Sequence, residues 1–348
     1  MSRNQFMVRY HKTKESSRMN IYDISRQSGV SIATVSRVIN NSGYVSEKTR
    51  AKVMKVIEQN NYSPNAFARG MANSTMSTIG ILCSDAGDLY QAQCIHFLEP
   101  LLKKEKFAAI VSCTGYDGES QEKDLQMLLE RNVDALILIG SHFISEDPKK
   151  NEYIVRAARR IPVCLLNGYL EADNVFCILH DDRDAQHKLA SHVLEKGARA
   201  PVFLFRQNSH STKKKRQGCL QACMEHDIPF REQQVSESFD EMLNVIEDLL
   251  AGTQPCDALI AVDDEIAVAA LKSCARHGLK VPEDVQVTGF NDSVLAQACS
   301  PELTSFDNRV EFMCRSGMMA IMQALNNHDY PFKTIYNGKL IVRESTRP

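Results

Sequence analysis

The 348-residue chain lacks the features that mark several large classes of protein. No apolar run approaches the roughly 20 residues of a membrane-spanning helix, and residues 1–18 are polar and basic, without the apolar core of a secretory signal. The eleven cysteines are scattered singly, with no C-x-x-C pair and no cysteine–histidine cluster of zinc-ligand spacing. These absences predict a cytoplasmic protein whose cysteines are buried, reduced thiols.

Motifs that carry chemistry are also missing. No nucleophile–base pair, phosphate-binding loop, metal cluster or paired-carboxylate motif stands out. Cys219 and Cys223 lie four residues apart on a predicted helix and could approach each other, but two buried thiols are the favoured interpretation. We therefore expect neither an enzyme nor a bound cofactor or metal ion.

What the chain does have is a strong separation of charge. Residues 1–72 hold 12 Lys and Arg but only 4 Asp and Glu, a net charge of +8, whereas the whole chain carries −2. Residues 73–348 must then carry −10. A basic segment ahead of an acidic body is typical of a domain that meets DNA phosphates. The length suggests two or three domains.

Residues 21–40 have the pattern of two short helices joined by a tight turn. Asn20 and Ser31 are predicted to cap the two helices, and Gly29 lies where the first must end. A third helix begins after Ser46. The predicted inward-facing residues of the three helices are Ile21, Ile24, Val35, Val38, Ile39, Val53, Met54 and Ile57.

The second helix leaves Ile32, Ala33, Ser36 and Arg37 facing outward. This arrangement is that of a helix-turn-helix, which places its second helix in the major groove of DNA. The alternative is a purely structural three-helix bundle, which the net charge of residues 1–72 disfavours.

From Thr78 onward, short apolar runs alternate with helical stretches. Predicted strands are 79–83, 108–113, 135–139, 163–166, 201–205, 258–262 and 285–289. Predicted helices are 90–105, 119–131, 151–159, 184–196, 213–226, 240–251 and 264–277. Such alternation predicts parallel sheets covered on both faces, arranged as two doubly wound α/β lobes with a ligand cleft at the carboxyl ends of the strands.

Several segments, in order along nearly the whole chain, resemble the lactose/galactose repressor (LacI–GalR) family of bacterial transcription regulators. They are Ile21-Tyr-Asp-Ile24, Ala33-Thr-Val-Ser-Arg-Val-Ile-Asn40, Tyr62-Ser-Pro-Asn-Ala-Phe-Ala-Arg69, Val281–Asp292, Ser300–Thr304 and Val342–Thr346. The resemblance implies an all-α helix-turn-helix headpiece and a body like a periplasmic binding protein. It also implies a repressor that binds a palindromic DNA operator as a homodimer, controlled by a small carbohydrate-type effector.

The domain boundaries follow from the same segments. Residues 19–63 would form the DNA-binding domain, 64–77 a hinge helix and linker, and 78–348 the effector-binding and dimerisation domain. Its N-lobe would comprise about 78–178 plus 309–335, and its C-lobe about 179–308 plus 336–348. Residues 1–18 would be a disordered basic arm, unless translation starts at Met7 or Met19. No heptad repeat follows Arg343, so nothing indicates a tetramerising tail.

For DNA, the resemblance implies that Ile32 and Ala33 face base edges, where apolar side chains can contact only thymine methyls or fit the groove. Arg37 matches a guanine-contacting arginine, with a phosphate contact as the alternative. Met71 stands where the family wedges a leucine into the minor groove. The implied DNA-contacting residues are Ile32, Ala33, Thr34, Ser36, Arg37, Asn40, Arg69 and Met71.

For the effector, the resemblance implies the positions Tyr90, Gln91, Lys215, Asp263 and Asn291. Lys215 replaces an arginine that touches sugar hydroxyls or a carboxylate; the alternative is a solvated basic turn among its cationic neighbours. Tyr90 would stack on a sugar or merely pack. Because Asn291 replaces a usual aspartate while Lys215 keeps a cation, an acidic ligand such as a sugar acid or sugar phosphate is the working hypothesis.

Other functions stay open at this point. The chain could be an activator, or a regulator controlled by a protein partner. More remotely, it could be a carbohydrate-binding protein or an enzyme, although the basic headpiece disfavours both.

Overall fold

The computed structural model describes residues 19–39, 43–60 and 75–348. These divide into two compact units, one ending at Met76 and one from Ser77 to Pro348. The predictions for residues 1–18, Asn40, the hinge helix, Arg69 and Met71 lie outside the described residues.

The first unit contains α1 (Ile21–Ser28), α2 (Ile32–Ile39) and α3 (Glu47–Gln59). The Asn20 side chain accepts hydrogen bonds from the first turn of α1, while the Asp23 carboxylate accepts one from the Asn20 amide, so a complete capping box fixes the start of the helix. Gly29 ends α1 in the left-handed region at φ 63°, where a side chain would be strained.

A small apolar core joins these three helices. Its fully buried members are Ile24, Val35, Val38 and Val53. The prediction that Met54 faces this core is wrong, since its side chain is 38% exposed. Residue 54 lies about 100° around the helix from Val53, and Val56 and Ile57, three and four residues on, complete the buried stripe instead.

Strands of the second unit form two parallel sheets and one antiparallel pair. The strands are β1 (Thr78–Cys83), β2 (Ala108–Cys113), β3 (Ala135–Ile139), β4 (Val163–Leu166), β5 (Val175–His180), β6 (Pro201–Phe205), β7 (Glu232–Gln234), β8 (Ala258–Ala261), β9 (Gln286–Thr288), β10 (Ser305–Asp307), β11 (Lys333–Tyr336) and β12 (Lys339–Ile341). The six-stranded sheet has the order β11-β5-β4-β3-β1-β2, the four-stranded sheet the order β7-β6-β8-β9, and β10 pairs with β12.

Helices follow most strands and cover the sheets. They are α4 (Leu89–Lys104), α5 (Gly118–Glu130), α6 (Glu152–Ala158), α7 (Asp182–Glu195), α8 (His210–Glu225), α9 (Phe239–Ala251), α10 (Asp264–Arg276), α11 (Val294–Ala298) and α12 (Val310–Leu325). Across the described part of the chain, no helix is both long and apolar enough to cross a membrane. The predicted two-lobed, parallel α/β architecture is confirmed.

The sequence prediction missed β5, β7 and every element after β9. β5 is separated from α7 by Asp181 alone, so no turn signal marks its end. The strands β7, β10 and β12 have three residues each, too few to show alternation. Eight of the eleven cysteines are buried, as predicted, whereas Cys113 is exposed on the edge strand β2.

Helices α7 and α8 pack in close contact because Gly218 on α8 has no side chain. A β-carbon built on Gly218 would lie 2.1 Å from the carbonyl oxygen of Arg183 on α7. That atom belongs to a helical backbone and cannot rotate away, so a larger residue must push the helices apart.

We expect Gly218→Ala to lower the free energy of unfolding by about 1–3 kcal/mol, the usual range for overpacking. Urea denaturation followed by circular dichroism measures this. Gly118→Ala is the matched control, because a β-carbon there meets nothing within 4 Å. Equal stability of the two variants would contradict the close approach of α7 and α8.

Candidate effector cleft and DNA-facing helix

Three of the four residues that the sequence predicts on the outward face of α2 are exposed. Ile32, Ala33 and Arg37 are exposed, whereas Thr34 and Ser36 are half-buried. The Ser31 hydroxyl lies 3.3 Å from the Thr34 amide and 3.0 Å from its hydroxyl, so Thr34 takes part in starting the helix. The leading residues of α2 therefore present apolar groups and one guanidinium to solvent.

In the second unit, one cavity brings together all five residues implied for the effector. Tyr90, Gln91, Lys215, Asp263 and Asn291 all line a space of about 110 Å³. They follow the carboxyl ends of β1, β6, β8 and β9, where parallel sheets place their binding sites.

Two neighbouring cavities of about 450 and 440 Å³ share His142 and Ser209 with this space. Together they form a polar cleft between the two sheets, within the size range of small-molecule sites. Much of its lining consists of hydroxyl and amide groups, which are Ser141, Asn167, Ser209, Ser211, Thr212 and Asn291. Such a lining suits a ligand rich in hydrogen-bonding groups.

Lys215 lies inside the protein and not on a solvated turn, so that alternative is wrong. Its side chain is buried on α8, its Nζ donates a hydrogen bond of 2.8 Å to the Val262 carbonyl, and it lies 3.6 Å from the centroid of the Phe290 ring. Burial lowers the pKa of Lys215, and nearby carboxylates such as Asp182 oppose this shift. The ammonium is thus largely engaged by the protein.

Arg206, which the sequence prediction missed, is another cation of the cleft. It bridges Asp263 and Glu265 with two contacts of 2.7 Å. Burial by itself would lower its pKa, but these two carboxylates outweigh burial and raise it. Its position directly after β6 was the available signal, because residues at the carboxyl ends of parallel strands line the cleft.

Tyr90 and Gln91 line the cavity and also make contacts that stabilise the fold. The Gln91 Oε1 accepts hydrogen bonds from the amides of Ser84, at 2.6 Å, and Asp85, at 3.3 Å, which holds the loop between β1 and α4. Tyr90 also packs against the apolar core of the six-stranded sheet, and burial raises the pKa of its hydroxyl.

Asn291 lies on a strained loop that Asp264 holds in place. Asn291 has φ 93°, in the left-handed half of the map, and its Oδ1 accepts a 2.9 Å hydrogen bond from Asn308. The buried Asp264 carboxylate accepts hydrogen bonds of 2.6 Å from the Ser293 amide and the Ser305 hydroxyl. Burial raises the pKa of Asp264 to about 6, although both hydrogen bonds oppose that shift.

We expect Asp264 to make stability depend on pH. Its folded pKa lies above its unfolded value, so its contribution is complete below about pH 4 and is lost as pH rises through about 6. Asp264→Asn removes this titration. The unfolding free energy of the wild type minus that of the variant should therefore fall between pH 4 and 7, by on the order of 3 kcal/mol.

Urea denaturation at several pH values measures this difference. The exposed Asp240→Asn, in the first turn of another helix, controls for the change of net charge. A difference between wild type and Asp264→Asn that stays constant with pH would show that the carboxylate keeps an ordinary pKa.

Comparison with known proteins places this geometry in a family. Residues 20–65 match the lacI family of bacterial regulatory proteins, and residues 190–346 match a periplasmic binding protein-like domain. An HTH-type transcriptional regulator of Lachnoclostridium phytofermentans is 39% identical over 331 residues, covering 94% of this chain and 99% of the relative. Catabolite control protein A of Staphylococcus xylosus is 30% identical, covering 89% and 94%.

Solved structures agree on the fold. A Lac repressor dimer bound to operator and the anti-inducer ONPF aligns with a TM-score of 0.83 at 20% identity, over 94% of this chain and 99% of that one. A complex of the transcriptional regulator CelR with cellobiose aligns with a TM-score of 0.67 at 23% identity, over 94% and 100%. The chain belongs to the lacI family of bacterial regulatory proteins and is a DNA-binding transcriptional regulator.

Proposed function

We propose that the protein is a repressor that binds a near-palindromic operator as a homodimer and responds to a small, neutral, polyhydroxylated ligand in its cleft. One observation carries this proposal. The five residues implied for an effector line one polar cavity, in a chain whose α2 also exposes a face suited to the major groove.

At the operator, Ile32 and Ala33 would contact thymine methyls, since neither side chain can hydrogen-bond a base. Arg37 would supply the hydrogen bonds to guanine. Thr34 and Ser36 are half-buried and would support the helix or touch phosphates. We also propose Asn40 and Arg69 as contacts and Met71 as the minor-groove wedge, on the family resemblance alone.

A neutral ligand replaces the acidic ligand expected from the sequence. That expectation needed an available cation at position 215, but Lys215 lies against the Val262 carbonyl and the Phe290 ring. Two further cations of the cleft are also paired, Arg206 with Asp263 and Glu265, and Lys213 with Glu146. Since Asp88 also lines the cavity and has no ion-pair partner among the described residues, an anionic ligand would meet repulsion from its carboxylate.

The ligand would act by bridging the two sheets. Tyr90 and Gln91 follow β1 of the six-stranded sheet, whereas Lys215 and Asp263 follow β6 and β8 of the four-stranded sheet. A molecule that touches both sets stabilises one relative orientation of the sheets over others. Its effect on DNA binding is then limited by its difference in affinity for the two states.

Arg37→Ala tests the DNA contact. We expect it to weaken binding to a palindrome from the gene's own upstream region by about 5–150-fold, equivalent to 1–3 kcal/mol. Fluorescence anisotropy with labelled duplex, at several salt concentrations, measures the change. Lys123→Ala removes an exposed charge from the body and serves as control.

The salt dependence separates two roles of Arg37. A guanine contact weakens specific binding much more than binding to random DNA, whereas a phosphate contact weakens both and lowers the salt slope by about 1. Wild-type affinity of the variant, or the absence of salt-sensitive binding to any palindrome in that region, would overturn the proposed DNA role.

Calorimetry tests the ligand class. At least one of the neutral sugars D-glucose, D-xylose and cellobiose should bind, and its acidic analogue, a sugar acid or sugar phosphate, should bind about tenfold or more weakly because of repulsion from Asp88. Tighter binding of the acidic analogue would reverse the conclusion about charge in the cleft.

A further inference from the structure

Two cysteines lie side by side at the carboxyl ends of β1 and β2, and neither is among the residues that line the cleft. Cys83 ends β1, Cys113 ends β2, and the two are direct partners in the register of this parallel pair. Their sulfur atoms are 3.6 Å apart. Adjacent strands lie about 4.8 Å apart, within the roughly 4.4–6.8 Å that a disulfide requires between its two α-carbons. The backbone is therefore already placed for a bond between the two sulfurs.

The two thiols differ in their access to solvent. Cys83 is fully buried, whereas Cys113 is exposed on the edge strand of the six-stranded sheet. Burial, reinforced by the neighbouring Cys113, raises the pKa of Cys83 to about 12, so Cys83 is a poor nucleophile toward a dissolved oxidant. An oxidant from solvent therefore reacts first at Cys113. An accessible cysteine beside a second cysteine that can form a disulfide with it is an arrangement typical of redox sensors.

Two other pairs of cysteines are close to each other but lack an exposed member. Cys219 and Cys223 lie four residues apart on α8, and both are buried. The Cys314 thiol of α12 lies 3.6 Å from the Cys94 carbonyl oxygen of α4, and both of these side chains are buried as well. Access to solvent therefore distinguishes the pair at the ends of β1 and β2.

We propose that Cys83 and Cys113 are a redox-sensitive pair that a peroxide converts reversibly into a disulfide. In the first step, the Cys113 sulfur forms a bond to one peroxide oxygen, the O–O bond breaks, and the thiol proton leaves with the other oxygen as water. In the second step, the Cys83 sulfur displaces the hydroxyl group of the resulting sulfenic acid, and its proton leaves with that group as a second water. The peroxide is thus reduced to water while two thiols are oxidised to one disulfide.

The disulfide would fix the start of two loops of the cleft. Asp85 and Gly87 follow β1, Tyr116 follows β2, and all three line the cavity of about 440 Å³. Closing the bond brings the two sulfurs from 3.6 Å to about 2.05 Å, so the two strand ends are drawn together and held. We therefore expect oxidation to change the affinity of the cleft for its ligand, a consequence that rests on the ligand proposed above.

Mass spectrometry of the full chain tests the disulfide. After brief exposure to hydrogen peroxide, we expect the protein to lose two hydrogen atoms. A peptide that joins Cys83 to Cys113 should be at least about tenfold more abundant than any other disulfide-linked peptide. Dithiothreitol should reverse the change by thiol–disulfide exchange. A different pair oxidised first, or a disulfide through Cys113 between two chains on a non-reducing gel, would overturn the proposal.

Variants separate the thiol that is attacked from the thiol that completes the disulfide. In Cys83→Ala, Cys113 should be trapped as a sulfenic acid, detected as its dimedone adduct, whereas Cys113→Ser should yield neither product. Cys256→Ser removes a half-buried thiol outside the pair and is the matched control, which should form the disulfide like the wild type. Thermal denaturation checks that Cys83→Ala remains folded; if it does not, the wild type and Cys113→Ser decide the question. A sulfenic acid that persists in the wild type without a disulfide contradicts the role of Cys83.

Calorimetry tests the link to the cleft. For whichever of D-glucose, D-xylose and cellobiose binds the reduced protein, oxidation should change the affinity of the wild type by about fivefold or more and leave that of Cys113→Ser unchanged. Equal affinities of the oxidised and reduced wild type would refute the link. If none of the three sugars binds, the proposed ligand class is wrong, while the disulfide stands or falls on mass spectrometry alone.

Discussion

The constraint on which the candidate effector cleft depends is that parallel strands end on the same side of their sheet. In the body, β1, β6, β8 and β9 all direct the residues that follow them toward one cleft. Side chains as far apart in sequence as Tyr90 and Asn291 therefore line one cavity. The short loops at these ends can vary without disturbing the buried strands, which explains how one fold can serve regulators of different ligands.

Charge in this cleft is largely neutralised by the protein itself. Arg206 bridges Asp263 and Glu265, and Lys215 is engaged by a backbone carbonyl and an aromatic face. These contacts hold the side chains in fixed positions, so the site is organised before any ligand arrives. Hydroxyl and amide groups make up much of the remaining lining, together with the Asp88 carboxylate.

Much of the fold and part of the site could be predicted from the sequence. Alternating apolar runs and helical stretches marked the strands from β1 to β4 because these strands are fully or partly apolar and bounded by turn residues. The sequence analysis did not identify His180 and Arg206 as cleft residues, because each is a single polar residue after an apolar run. Only the convergence of strand ends shows that His180 lines the smaller cavity and Arg206 a neighbouring one.

By itself, the sequence determined that the chain carries a basic helix-turn-helix ahead of an acidic α/β body, because capping residues, helical periodicity and net charge are local properties of the chain. Only the tertiary structure decided which partners the charged side chains of the cleft contact. The formal charge of Lys215 suggested an acidic ligand, but its role depends on Val262, Phe290 and Asp182, which lie far away in sequence and meet it only in the folded state. Electrostatic interactions depend on the distance between charges and on their burial, and neither quantity can be obtained from the order of residues alone.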